Sequence, residues 1–333
     1  MVNNVLNVVK KPFKINKTEI SLTVSMGISI YPKDGASVDD LLQKAHGAMY
    51  RVKKAGGNGF KFCDADESNK TFKLFSLEND LRNAIENDEF ELCYQPLIDL
   101  QSRMITGVEA LIRWNHPTQG LLMPIDFLQI AEESGLIVPM GEWVLRKACA
   151  QNKLWQKANL PPFKVAVNVS STQLVMPKFS KLISYILKET KLDPTYLEIE
   201  LTETILADNV ELMLQVLNEI KKLGVGLVMD DFGTGYSSLN YIKQFPFDKI
   251  KIDRSFLQNI CSNEDDYSLL QSMLVMAENL KLKIVVEGVE TEEQLSLLKD
   301  GKGGQLQGYL FSKPLDAKSL PDFIRHYSVQ RSK

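Results

Sequence analysis

Two adjacent carboxylates, Asp230 and Asp231, close a short apolar run, Val225 to Met229, and a glycine-punctuated loop, Phe232 to Tyr236, follows at once. Neighbouring acids at the end of a buried strand are electrostatically costly unless a cation sits between them. Taken alone, an Asp-Asp-x-Gly reads equally well as a turn in which one Asp caps a helix. The rest of the chain changes that balance. Glu109, Asn168, Glu200, Glu287 and Gln307 each sit on or just past another short apolar run, and Lys251 sits on a further one. A buried strand has no structural use for a carboxylate, and a series of strands each carrying a polar group points to one shared site. Several carboxylates brought to one place repel and protonate unless divalent cations occupy the space. The chain has only 3 histidines, so the donors are oxygens, which select Mg²⁺ or Mn²⁺ over zinc.

Such a site needs elements that converge. From Phe90 onward, short apolar runs alternate with helical patterns, as an α/β fold requires. The candidate strands are Phe90–Pro96, Ile105–Trp114, Lys164–Val169, Leu197–Leu201, Val225–Asp230, Lys249–Ile252, Lys283–Glu287 and Leu306–Tyr309. Helical patterns lie between most of them, at Pro124–Glu133, Gly141–Lys157, Met176–Thr190, Val210–Leu223, Asp266–Leu280 and Glu292–Lys299. This pattern suits a TIM-type barrel, whose strands converge at their C-terminal ends on a single mouth. The first two runs are joined only by turn-like residues around Asp99 to Arg103, too few for a crossover helix. They should therefore be antiparallel.

Residues 1–70 read as a smaller α+β piece. Leu22–Tyr31 alternates like a strand with one face buried, and Val38–Lys54 has helical spacing with Ser37 or Asp39 as its cap. Gly56 to Gly59 end that helix, and Phe60–Cys63 suits a short returning strand. Thr71–Asn87 reads as a connecting helix, leaving 88–333 for the barrel. Hydrophobic content of 44% and charged content of 24% are those of a globular protein with a substantial core. A net charge of −3 gives no electrostatic argument for a DNA or RNA polymer as partner. Cys63, Cys93, Cys149 and Cys261 lie far apart and read as reduced thiols. No apolar stretch is long enough to span a bilayer. A cytoplasmic location is expected, although a longer parent could be tethered upstream.

The motifs resemble two families. Tyr94-Gln95-Pro96, Glu109-Ala110-Leu111-Ile112-Arg113-Trp114, Asn168-Val169-Ser170 and Glu200-Leu201-Thr202-Glu203 are those of the EAL family of cyclic-di-GMP phosphodiesterases. So are Asp230-Asp231-Phe232-Gly233-Thr234-Gly235, Lys251-Ile252-Asp253, Glu287-Gly288-Val289-Glu290 and Gln307-Gly308-Tyr309. The resemblance, over about Leu81 to Leu320, implies a modified TIM (β/α)8 barrel with one antiparallel strand. It implies a two-metal hydrolysis of cyclic di-GMP to linear pGpG. Glu109, Asn168, Glu200 and Asp230 would hold one Mg²⁺ or Mn²⁺, and Asp230 and Asp231 would hold or orient the second, with Asp230 bridging. Lys251 would contact the attacking water or the phosphate, Glu287 would serve as general base or orient the water, and Glu203 would brace the loop after Asp231. Arg113 would grip a phosphate, Leu111 would pack beside the nucleotide, and Gln95, Gln307 and Glu290 would complete the substrate pocket. A homodimer through the loop and helix after Asp231 is expected. One departure from the family is Lys302-Gly303-Gly304, where Gly-Cys-Asp is usual.

Residues Thr23–Ser29, Ala48-Met49-Tyr50, Lys53 and Gly56-x-Asn58 resemble the C-terminal part of a GGDEF (diguanylate cyclase) domain. The signature loop of that family is absent, and His46 and Gly57 stand where Asp and Arg are usual, so no cyclase activity is expected. A shortened chain is the simplest account. The rival to an active hydrolase is a catalytically silent cyclic-di-GMP receptor or interaction module. Such relatives typically lose metal ligands or the loop-bracing glutamate, and none is lost here. A competent barrel held off by its upstream region, and a hydrolase for another phosphodiester, are further alternatives.

Overall fold

The computed structural model describes the chain apart from residues 1, 10–12, 16–17, 21, 64–67, 204–209, 236–238, 299–303 and 330–333. Two compact units emerge, Met1–Glu86 with Gln129–Ser134, and Asn87–Leu128 with Gly135–Lys333.

In the first unit, α1 (Val2–Val9) precedes a small antiparallel pair, β1 (Phe13–Ile15) and β2 (Thr18–Ile20). Then come β3 (Ser25–Ile28), α2 (Val38–Lys54), β4 (Gly59–Phe62) and α3 (Ser68–Glu86). Ser37 caps α2 as expected: its Oγ accepts the Asp40 N–H at 3.1 Å, and Asp40 Oδ2 accepts the Ser37 N–H at 3.2 Å. β4 returns parallel to β3, with α2 as the crossover. A Cβ on Gly27 would fall 1.7 Å from the Ala45 carbonyl oxygen, so only glycine lets β3 lie directly on α2. The strand expected over Leu22–Tyr31 is shorter, because β4 offers partners only to Ser25–Ile28. Nor does it have one buried face: all four of those residues are half-buried, and Leu22, Ile30 and Tyr31 are exposed.

The second unit is built on eight strands that close into a barrel: β5 (Phe90–Asp99), β6 (Ile105–His116), β8 (Lys164–Asn168), β9 (Leu197–Thr202), β10 (Gly226–Phe232), β11 (Lys249–Ile252), β12 (Lys283–Val286) and β13 (Gln305–Leu306). β5 runs antiparallel to both of its neighbours, β6 and β13, and all the other barrel pairings are parallel. The β5–β6 turn is tight: Asp99 Oδ1 accepts both the N–H and the hydroxyl of Ser102 at 2.7 Å. Two short strands lie outside the ring, β7 (Gly120–Leu122) on β6 and β14 (Leu315–Asp316) on β5.

α4 (Pro124–Ser134) divides between the units at Gln129, and the helices of the barrel unit are α5 (Ile137–Lys157), α6 (Ser171–Leu174), α7 (Phe179–Thr190), α8 (Val210–Lys222), α9 (Leu239–Gln244), α10 (Glu264–Asn279), α11 (Glu292–Leu298) and α12 (Ser319–Val329). In α5, Val144, Leu145, Ala148, Cys149, Asn152 and Trp155 recur at helical spacing and are buried. The helix expected from Met176 starts at Phe179, because Lys178 adopts a left-handed φ of 70° that breaks the run. The eighth strand, expected over Leu306–Tyr309, ends at Leu306. Beyond it Gly308 is pressed onto the Val289 backbone, where a Cβ would lie 2.0 Å from the carbonyl oxygen. The end of the helix expected to reach Lys299 lies outside the described residues, as do Lys302 and Gly303. Among the described residues, no helix is long and apolar enough to cross a membrane.

Candidate active site

Parallel register sets Asn168 beside Glu200 on β8 and β9, and antiparallel register sets Gln95 beside Glu109 on β5 and β6. Asp230 follows the apolar run of β10, and Lys251 projects from β11 with only 1% of its side chain exposed. Its ammonium is the hub. It lies 2.7 Å from Glu287 Oε1, 2.9 Å from Glu200 Oε2, 3.2 Å from Asp230 Oδ1 and 3.3 Å from Glu109 Oε2. Burial opposes the charge on Lys251, but these four carboxylates outweigh it and hold the ammonium well above the usual lysine range.

One cation cannot neutralise them all. Burial pushes Glu200 well above the carboxylate range, with the charges of Glu109 and Asp230 adding to the shift. Burial likewise raises Glu287 to about 7, against the pull of Lys251 and with the help of Asp230 and Glu109. Asp231, half-buried, is raised by desolvation and then by the charges of Asp230 and Asp253. Glu109 is lowered. Burial works against its ionisation, but Lys251, Gln307 Nε2 at 2.6 Å and Asn168 Nδ2 at 2.7 Å prevail.

The loop after β10 is held from behind. Asp231 adopts a left-handed φ of 53°, and its N–H donates to Asp230 Oδ1 at 2.9 Å. Glu203 Oε2 accepts the N–H groups of Gly233 at 3.0 Å and Gly235 at 3.3 Å. The two aspartates are thereby aimed by backbone as well as by strand.

Carboxylate oxygens of Glu109, Glu200 and Asp230 lie within 4.8 Å of one another, and so do those of Asp230, Asp231 and Glu287. Asp230 belongs to both groups. Gln307 Oε1 is buried without a hydrogen-bond partner among the described residues, while its Nε2 also donates to Gln95 Oε1 at 3.0 Å. An all-oxygen, electron-rich, under-neutralised donor set of this kind fits hard divalent cations.

Of the residues expected from sequence, Gln95, Glu109, Leu111, Asn168, Asp230, Lys251, Glu287, Glu290 and Gln307 line one cleft. Glu200 is buried at its base on Lys251, and Glu203 stands behind the Asp231 loop. Arg113 is brought to a different place. It is buried further along β6, its Nη1 donates to the Ile112 carbonyl at 2.8 Å, and it does not line the cleft. Four further residues line it, Arg254, Gly288, Gly308 and Tyr309, which the sequence did not single out as site residues. Gly288, Gly308 and Tyr309 stand within the quoted motifs, whereas Arg254 follows one.

The EAL-domain family matches residues 78–314, and the family described as diguanylate cyclase, GGDEF domain, matches residues 1–59. The cyclic di-GMP phosphodiesterase NbdA of Pseudomonas aeruginosa is 38% identical over 318 residues, 96% of this chain and 41% of that protein. The cyclic di-GMP phosphodiesterase PdeR of Escherichia coli is 34% identical over 327 residues, 98% of this chain and 49% of that protein. The chain thus spans less than half the length of these curated relatives. Among solved structures, the PaMucR phosphodiesterase in complex with c-di-GMP superposes with a TM-score of 0.71 at 40% identity, covering 74% of this chain and 99% of that one.

Proposed function

The chain belongs to the EAL-domain family, and from that premise we propose that it is a metal-dependent phosphodiesterase that hydrolyses cyclic di-GMP to linear pGpG. The observation that carries this reading is the double carboxylate cluster sharing Asp230, set in one cleft around Lys251. Glu109, Asn168, Glu200 and Asp230 would hold one Mg²⁺ or Mn²⁺, and Asp230 with Asp231 the other. Bound there, the ions would polarise a phosphoryl oxygen and acidify the attacking water.

The chain's own residues do the rest. Glu287, titrating near neutrality because it is buried, is suited to take the proton from the water as its oxygen adds to phosphorus. The P–O3′ bond then breaks and the 3′-oxygen is protonated, leaving a 5′-phosphate on the linear product. Lys251 keeps its proton throughout and offsets the negative charge gathered at the phosphate. Glu203 positions the Asp230–Asp231 loop. Gln307 and Gln95 form one hydrogen-bonded wall, Leu111 offers apolar surface to the nucleotide, and Glu290 faces the substrate. Arg113, buried off the cleft, would reach a phosphate only after a rotamer change.

Residues 1–70 would be a GGDEF-type segment, residues 71–87 a connecting helix and 88–333 the hydrolase. A homodimer would form through the segment after Asp231, part of which, 236–238, lies outside the described residues. With a diffusible nucleotide as substrate, the site would face the cytoplasm.

The test is turnover of cyclic di-GMP by the purified chain with Mg²⁺ or Mn²⁺, beside Glu109→Ala. Production of pGpG that needs the metal and vanishes in the variant is the expected result. Binding without turnover would make the chain a receptor instead.

A further inference from the structure

The opposite mouth of the barrel holds a second concavity. Lys164, Lys249, Lys283 and Gln305 are each the first residue of their strand, β8, β11, β12 and β13. They stand at the N-terminal end, away from the carboxylate cluster, and together they line a cavity of about 580 Å³. That is room for a small organic molecule. The N-terminal face of such a barrel ordinarily serves stability, and stability is better served by close packing than by open space.

The charges here do not balance. Lys249, only 4% exposed, donates to Glu198 Oε2 at 2.6 Å and to Gln305 Oε1 at 2.7 Å. An ammonium has three donors, so one is unspent. Lys164 Nζ takes the other oxygen of Glu198 at 2.7 Å. Two ammonium groups thus share one carboxylate, leaving an excess of one positive charge. Burial holds Lys249 below the usual lysine range even with Glu198 beside it, and Lys164 adds to the shift. Asp99 and Glu278 are also on the wall, yet among the described residues neither lies within ion-pair distance of Lys164 or Lys249. Tyr196 brings to the same cavity a hydroxyl that has no hydrogen-bond partner among the described residues. The rest of the wall is largely apolar, with Phe163, Leu282 and Ile284.

Gly304 helps to keep the cavity open. Its backbone is not left-handed, and a Cβ there would meet the Ile284 carbonyl oxygen at 3.4 Å and Ile284 Cβ at 3.8 Å, which are ordinary contacts. Nothing steric therefore demands glycine, unlike Gly308 on the same strand connection, where a Cβ would lie 2.0 Å from backbone. The absent side chain, at the position where Asp is usual, leaves this wall with more space and one negative charge fewer.

An inorganic anion would answer the charge and leave the apolar wall in water. A neutral apolar molecule would cover the wall and leave a buried ammonium donor unmatched. A carboxylate on a flat apolar body satisfies both, and its single charge equals the excess. We propose that this cavity binds a small monocarboxylate with a planar apolar body, its carboxylate accepting from Lys249, Lys164 and Tyr196. The proposal is independent of the reading of the other mouth as a hydrolase site.

The test is calorimetric titration of the full chain with 2-naphthoate, beside 2-naphthamide, its neutral isostere, and inorganic phosphate. One 2-naphthoate should bind per chain, roughly ten-fold or more tightly than the amide, as a charge-assisted hydrogen bond provides. Phosphate should not displace it. Lys164→Gln leaves Lys249 and Glu198 as a matched pair, and should weaken 2-naphthoate roughly ten-fold while leaving the amide unchanged. Tyr196→Phe should weaken it by a smaller factor. Gly304→Asp should weaken it more than Gly304→Asn, which has the same size without the charge. Glu109→Ala, at the other mouth, should bind as the parent does. Circular dichroism and the melting temperature check that each variant is folded.

No saturable binding of 2-naphthoate overturns the proposal and leaves the lysines as a purely structural network. Equal affinity for the amide overturns it too, as does displacement by phosphate, which would mark a site for inorganic anions. Affinity unchanged in both Lys164→Gln and Gly304→Asp, or lost in Glu109→Ala, would place the probe elsewhere and overturn it likewise. None of these outcomes touches the hydrolase reading, which stands or falls on turnover of cyclic di-GMP.

Discussion

Each carboxylate around Lys251 carries a different share of the repulsion, and the shares dictate how ions would enter. Glu287, raised to about 7 by burial, still holds a proton below that pH. The proton must leave before the carboxylate can serve the site at full charge. Raising the pH from 6 to 7 should therefore tighten Mg²⁺ or Mn²⁺ binding, by up to about ten-fold per unit, with the gain levelling off above 7. Below that pH, binding should release protons, from Glu287 and from the buried ligand Glu200. Calorimetry in two buffers of different ionisation enthalpy measures the release, and a buffer-independent heat at pH 6 would contradict it. At this scale the sequence was informative wherever a carboxylate interrupted an apolar strand, as at Glu109 and Asp230. It was silent at Arg254, whose place in the cleft comes from the close approach of Gly288 in space. For Arg113, spacing along β6 gives the face on which the residue lies and not the rotamer its guanidinium adopts.

At the scale of elements, a second charged network ties the strands together. Glu198 on β9 lies 2.6 Å from Lys249 Nζ on β11 and 2.7 Å from Lys164 Nζ on β8, and Lys249 also donates to Gln305 Oε1 on β13 at 2.7 Å. These residues stand at or near the N-terminal ends of their strands, whereas the carboxylate cluster lies toward the C-terminal ends. Burial works against ionisation of Glu198, but Lys249 and then Lys164 hold its carboxyl below the usual range. A depressed folded pKa means that the stabilisation is fully present above the ordinary glutamate pKa of 4.5 and is lost as pH falls through the lower folded value. Glu198→Gln should remove that acid sensitivity. It should also cost about 3–5 kcal/mol at pH 7, by leaving Lys249 buried and unpaired. Urea unfolding at pH 7 and pH 4 reads both effects, and a variant as stable as its parent at pH 7 would refute the account. The strands bearing this network were legible because their apolar runs are short and bounded. β13 was displaced because only Gln305 and Leu306 find partners in β12, and the backbone contact of Gly308 with Val289 has no signature in composition.

The whole chain carries two cores. Ala48, Val52, Leu81 and Ala84 are buried in the first unit, and the barrel encloses its own set, including Leu145, Val167, Ile199 and Ile250. The carboxylates grouped for an ion all belong to the barrel unit. The sequence separated these regions through their motifs, and the helix it reads as a connector, α3, falls within the first unit. It could not show whether they unfold together, since that depends on burial between units and not on pattern within either. If the cores are energetically separate, heating should give two transitions, and a divalent ion should move only one. An ion at a hundred times its dissociation constant adds about 2.7 kcal/mol to the state that binds it. For a domain of the barrel's size that is roughly 5–10 °C in melting temperature. Scanning calorimetry with Mn²⁺ and with a chelator should show the barrel transition rising by that amount and the other staying fixed. Glu109→Ala should abolish the shift. A single transition moved as a whole would mean that the units fold as one cooperative body, coupling ion binding in the barrel to the stability of the N-terminal unit.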